Sequence, residues 1–150
     1  MAEEASKWTW LAIIVAFLLL IPFLFVGGLA AYLYNALYGW IFEGGLFNWI
    51  TAGWFEKIVK VVFPSIIQGG VAGFLALFVT SKILKRANYE VVAYTISGIV
   101  IFLTLLTLLL GLARNGLNIG MIGVISNTIG IVVGLFGMYL DHKEKAGLSA

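Results

Sequence analysis

Four long stretches of the 150-residue chain carry no Asp, Glu, Lys or Arg: residues 8–42, 61–81, 91–113 and 115–140. About 20 apolar residues in a helix cross the hydrocarbon core of a bilayer, and each stretch reaches that length. Hydrocarbon offers the backbone no hydrogen-bond partner, so a single-stretch span has to be a helix. Composition agrees: 62% of residues are hydrophobic, 11% are charged, and the mean hydropathy is +1.07. A soluble domain carries roughly a quarter charged residues. The sequence therefore predicts an all-α membrane protein, a single four-span domain with spans at about 9–34, 64–84, 90–112 and 117–140. The connections are too short to hold a folded extramembrane domain, so any activity belongs to the bundle or its interfaces.

Much chemistry is excluded by what the chain lacks. The absence of cysteine removes disulfides, thiol catalysis and thiolate metal sites. Coupled transport usually needs ionisable groups in the hydrocarbon core, and the four stretches contain none. The single histidine, His142, stands among Asp141, Lys143, Glu144 and Lys145 after the last span, where it reads as a solvated tail residue. With no embedded His or Cys, axial ligation of a metal or haem has no donor. No nucleophile lies beside a base, so we expect a non-enzymatic protein without metal or cofactor. The longest basic run is Lys85-Arg86, too little for nucleic-acid binding.

The N-terminus carries Glu3 and Glu4 against Lys7, unlike the positive start of a cleaved signal, and reads as a retained span. Trp8 and Trp10 at its start, and Tyr32, Tyr34, Tyr38 and Trp40 towards its end, suit the two headgroup levels. Pro22 is expected to bend the helix and Gly27-Gly28 to soften it. Between the first two spans, residues 46–62 place Asn48, Ala52, Glu56 and Lys60 four apart, with Phe47, Ile50, Trp54 and Ile58 mostly opposite. This pattern predicts an interfacial amphipathic helix, anchored by Trp49 and Trp54 and supported by a Glu56–Lys60 pair. Pro64 then suits the first turn of the second span.

The last span carries the most regular pattern. Gly116, Gly120, Gly123, Asn127, Gly130, Gly134 and Gly137 alternate in steps of four and three, which places them on one stripe of a helix. Such a seam lets a second backbone approach closely, and in lipid that approach, not a hydrophobic drive, holds helices together. Gly69, Gly73, Ala76 and Thr80 form a shorter seam in the second span. The two could pack on each other, or the last could meet its own copy. Ser97, Thr104 and Gly111 make a weaker line in the third span.

Embedded hydroxyls can bond to their own helix carbonyls. Asn127 cannot be satisfied so simply, and its expected role is an interhelical hydrogen bond that fixes register. The sharper possibility makes Ser126, Asn127 and Thr128 a polar constriction in an oligomeric pore. Arg114 reads as a snorkelling end-anchor.

Packing features abound where chemical ones are missing. The first expectation is a structural or accessory subunit that packs against copies of itself or other membrane subunits. The second is a small homo-oligomeric channel lined by the fourth span. Six of the nine Lys and Arg residues (Lys7, Lys82, Lys85, Arg86, Lys143 and Lys145) fall on the side of the termini, leaving Lys57, Lys60 and Arg114 opposite. That bias places both termini in the cytoplasm of a bacterial or archaeal cell. A reporter fused to the C-terminus should accordingly be accessible only from the cytoplasm, and exterior labelling would invert the assignment.

Overall fold

The computed structural model describes residues 2–43, 56, 58–116 and 118–148, and it contains four helices long and apolar enough to cross a membrane. They are α1 (Ala2–Tyr38), α2 (Phe63–Ile83), α3 (Tyr89–Asn115) and α4 (Ile119–Leu148). The wider turns of a π-helix extend α1 over Gly39–Glu43 and lead into α2 over Ile58–Val62. Among the described residues the chain is a helical bundle without strands, and its four apolar helices are those of a membrane protein. Pro22 faces outwards on α1, which runs through it as one helix. Most of the expected interfacial helix, with Asn48, Trp49, Ala52 and Trp54, lies outside the described residues. At its end, Lys60 pairs with Glu56 at 2.8 Å and lies over the Tyr38 ring at 5.9 Å.

The helices form a ring in the order α1, α2, α4, α3, with the closest contacts on the two sides of α2. Small residues set that intimacy. Gly69 lies against the backbone carbonyl of Asn127, and Gly73 against that of Ile131. In return, Gly130 lies against the carbonyl of Ile66 and Gly134 against that of Gly70. A Cβ at any of the four would overlap backbone rather than a movable side chain. On the other side of α2, Gly27 of α1 meets the carbonyl of Gln68 in the same way. The pair Gly27-Gly28 is therefore a contact point inside a continuous helix rather than a soft point.

Only the middle of the α4 stripe is engaged like this. Gly116 lies before α4, where it ends α3 with φ +65° and ψ −170°, a backbone conformation essentially reserved for glycine. Gly120 sits beside the Asn118 side chain, whose oxygen caps α4 through Met121 N–H at 3.2 Å. Gly123 is in ordinary contact with Ser65 and Val61, and a Cβ on Gly137 would meet nothing within 4 Å.

The hydrophobic core gathers in the half of the bundle nearer the termini. It is built from Ala12 to Leu20 of α1, Ala72 to Leu77 of α2, Val92 to Val100 of α3 and Ile131 to Met138 of α4. At that end the α2–α3 connection is tied down. Asn88 accepts from the N–H groups of Glu90 and Val91 and so caps α3, while its own N–H donates to Thr9 Oγ1 at 3.0 Å. The buried Tyr89 hydroxyl serves the carbonyls of Leu84 at 2.5 Å and Thr80 at 3.0 Å, covering the exposed end of α2. The His142 ring stands edge-on to Tyr89, with centroids 5.4 Å apart, because α4 continues as helix to Leu148.

Gly134→Ala should force α2 and α4 apart and destabilise the protein by about 1–3 kcal/mol. Gly137→Ala should stay within about 0.5 kcal/mol. Reversible unfolding in mixed micelles would measure both, and equal effects would contradict the packing described.

Candidate functional site

Beyond Val100 the third helix separates from α1. The most apolar window of α3 is only 11% buried, against 28–33% for the other three helices. Below that point Ala12 and Ala16 of α1 and Val92, Ala93 and Ile96 of α3 belong to the core; above it Phe17, Leu20 and Leu24 of α1 line an opening. A cavity of about 520 Å³ opens in the bundle half remote from the termini.

Leu20, Val100 and Ile131 form its floor, shared with the core. Along α4 it extends from Gly120 to Ile131, roughly 16 Å at the helical rise, about half the thickness of a bilayer core. Ile21 of α1 and Leu103 of α3 line it while remaining substantially exposed, and stand as lips on the lipid side. Between α3 and α4 the wall is closed by the Thr104 and Thr128 hydroxyls, 2.6 Å apart. Thr128 donates onwards to the Val124 carbonyl at 3.0 Å, so Thr104 donates to Thr128.

The lining contains no charged residue and two carboxamides. Gln68 Nε2 passes beside Gly28 and donates to the Leu24 carbonyl of α1 at 3.2 Å, which commits one of its two N–H bonds. Gly27 makes room for the Gln68 backbone and Gly28 for its side chain. Asn127 behaves differently from its expected role. Its carbonyl packs on Gly69, but among the described residues its side-chain amide takes part in no hydrogen bond. Register between α2 and α4 is set by backbone contact, and the amide is left facing the cavity with both donor and acceptor capacity. The hydroxyls of Ser65 and Thr107 on this wall satisfy their own helices: Ser65 donates to Val61 and Thr107 to Leu103.

The other expected site residues are distributed as follows. Gly69, Gly73, Ala76 and Thr80 are all buried on α2, and Thr80 donates to the Ala76 carbonyl. Ser126 is buried and donates to Ile122, while Asn127 and Thr128 line the cavity inside one chain. The outward face of α4 carries Ile122, Ile125, Ile129 and Val133 instead. Ser97 lies in the core, where its hydroxyl has no partner among the described residues. Trp10 and Trp40 are exposed, whereas Trp8 packs partly against the core. Among the described residues no group of His, Cys, Asp and Glu could hold a metal ion.

No protein-family model, curated protein or solved structure matches the chain. What the site can do therefore rests on its own geometry: it can accept an uncharged, largely apolar body and offer it one free carboxamide and part of another. Sequence reading missed Gln68 as a bridge between helices. The available signal was an amide inside the charge-free stretch 61–81 together with the Gly27-Gly28 pair on another span, and nothing in the sequence joins the two.

Gln68→Leu should weaken the α1–α2 contact by about 0.6 kcal/mol, and at most about 1.7 kcal/mol. Asn127→Leu should leave stability unchanged or raise it, since the amide has no bond among the described residues. A clear loss on Asn127→Leu in micelle unfolding would show that the amide is structurally engaged.

Proposed function

We propose that the protein is a non-enzymatic integral membrane subunit that receives a transmembrane helix of another subunit in the cleft between α1 and α3. The observation that carries this reading is the splayed outer half of α3, which leaves a laterally open, uncharged cleft containing the free Asn127 amide. A polar side chain at that depth gains from a partner that the described residues do not supply. A neighbouring helix can provide one, as interhelical bonds to Asn or Gln do in other membrane bundles. The cleft is about one leaflet deep, which fits the end of a helix crossing at an angle better than a full-length parallel neighbour. Both a copy of this chain and an unrelated subunit satisfy these terms.

A homo-oligomeric channel lined by α4 has weaker support. Its polar residues Ser126, Asn127 and Thr128 turn inwards, and the side of α4 available to a symmetry axis is apolar.

Native mass spectrometry of the protein gently extracted from its own membrane should find it with at least one further chain, and Asn127→Leu should reduce that association several-fold. A monomer accompanied by lipid alone would overturn the proposal. Conductance across a bilayer containing only this protein, altered by Asn127→Leu, would move the channel reading ahead of it.

A further inference from the structure

The seam between α2 and α4 opens again at its other end. Past Gly134 the α2 helix presents the partly exposed Phe78, and Met138 of α4 stands on the facing wall. The resulting groove, of about 270 Å³, runs between Phe78 and Met138 towards the ends of both helices. At its mouth Lys82 and Lys85 of α2 and its end face His142 and Lys145 of α4. The lining has one carboxylate, Asp141, which pairs with Lys145 at 2.7 Å. Three lysines against one aspartate leave the mouth positively charged. Lys82 lays its ammonium over the Phe78 ring, 5.3 Å from the centroid, so its stem follows the apolar wall while its charge stays at the rim.

Below this rim the wall continues as an exposed aromatic surface. Phe74 and Phe78 are stacked with centroids 6.2 Å apart and both remain partly exposed towards lipid. A positive rim at the level where a span ends, directly above an apolar groove and an aromatic strip, matches the two parts of a phospholipid in their natural order.

We propose that this groove binds one anionic phospholipid from the leaflet on the side of the termini. Lys82 and Lys85 receive its phosphate, His142 offers a ring N–H from the opposite wall, and an acyl chain lies along Phe78 and Phe74. The charge is supplied from both walls, so the lipid bridges α2 and α4 at the level where their backbones separate. Asp141 opposes the phosphate and sets a limit on affinity. The site is independent of the cleft between α1 and α3, which is uncharged and lies at the other end of the bundle.

The test uses the full chain in nanodiscs holding equal amounts of phosphatidylglycerol and phosphatidylcholine, followed by native mass spectrometry with stepwise removal of lipid. One phosphatidylglycerol per chain should survive conditions that remove phosphatidylcholine. Juxtamembrane lysines contribute about fivefold each in attraction to anionic lipid, so Lys82→Gln with Lys85→Gln should lower retention on the order of twentyfold. Lys143→Gln, on the same helical tail as Lys145 but outside the groove, should change it little. Asp141→Asn should act in the opposite sense and raise retention several-fold. Equal retention of the two lipids would overturn the proposal, as would a Lys143→Gln loss matching that of the double variant, or the absence of a gain in Asp141→Asn. Displacement of the lipid by millimolar inorganic phosphate would reassign the rim to free anions and overturn the lipid assignment.

Discussion

Backbone-to-backbone approach across α2 is the constraint on which the remaining structure depends. Helices already immersed in hydrocarbon gain nothing from hiding apolar surface, so they associate only where many atoms come into close contact. Glycine permits this by removing the atom that would intervene. Gly69 and Gly73 meet α4, Gly130 and Gly134 meet α2, and Gly27 meets α2 from the other side. These two seams join α1, α2 and α4, with α2 between its two neighbours in the ring. The glycines of α2 and α4 alternate in their contacts, each abutting a carbonyl of the facing helix, so sliding one helix along the other would bring Cα atoms against Cβ atoms and cost the approach.

The fourth member of the ring has no such seam. α3 joins through Val92, Ala93, Ile96 and Val100 near the termini, and it is secured there by Asn88 and Tyr89. Its outer half carries leucine, isoleucine and phenylalanine that lipid solvates as well as protein would. The division of the bundle into a packed half and a hollow half follows from this difference in side-chain size. The embedded polar groups differ by chemistry rather than by position, since the hydroxyls of Ser65 and Thr107 beside the cavity close on their own helices. Thr80 and Ser81 near the packed half close on carbonyls of their own helix, whereas Asn127 faces the space that α3 vacates.

Much of this architecture was legible in the sequence. Charge-free length gives the four helices, and the alternation of Gly69, Gly73, Ala76 and Thr80 marks the face of α2 that is buried. The alternation in α4 includes the engaged stretch from Asn127 to Gly134, but it does not show that Gly116, Gly120, Gly123 and Gly137 lie outside the close contact. A periodic pattern records which residues share a face; it contains no information on where the facing helix begins and ends. Gly27 was harder to interpret, because a glycine inside an apolar helix looks the same whether it loosens the helix or admits a neighbour. The cavity was illegible for a different reason. It arises from the distance between α1 and α3, and no residue type announces the absence of a contact. The role of Asn127 depended on that same unseen space. Most of segment 46–62 lies outside the described residues, so its amphipathic pattern stands as a reading of the sequence.

The fastening of α3 at one end has a mechanical consequence. A helix of 27 residues is about 40 Å long and nearly incompressible along its axis. Packed into the core from Tyr89 to Val100, α3 continues beyond it as an arm of about 22 Å over residues 101–115, steadied against α4 by the Thr104–Thr128 hydroxyl contact. By the same dimensions, a bend of about 5° at Val100 carries the far end through roughly 2 Å, about half the width of a methyl group. A displacement of that arm would widen or narrow the cleft in the half remote from the termini without disturbing the packed half.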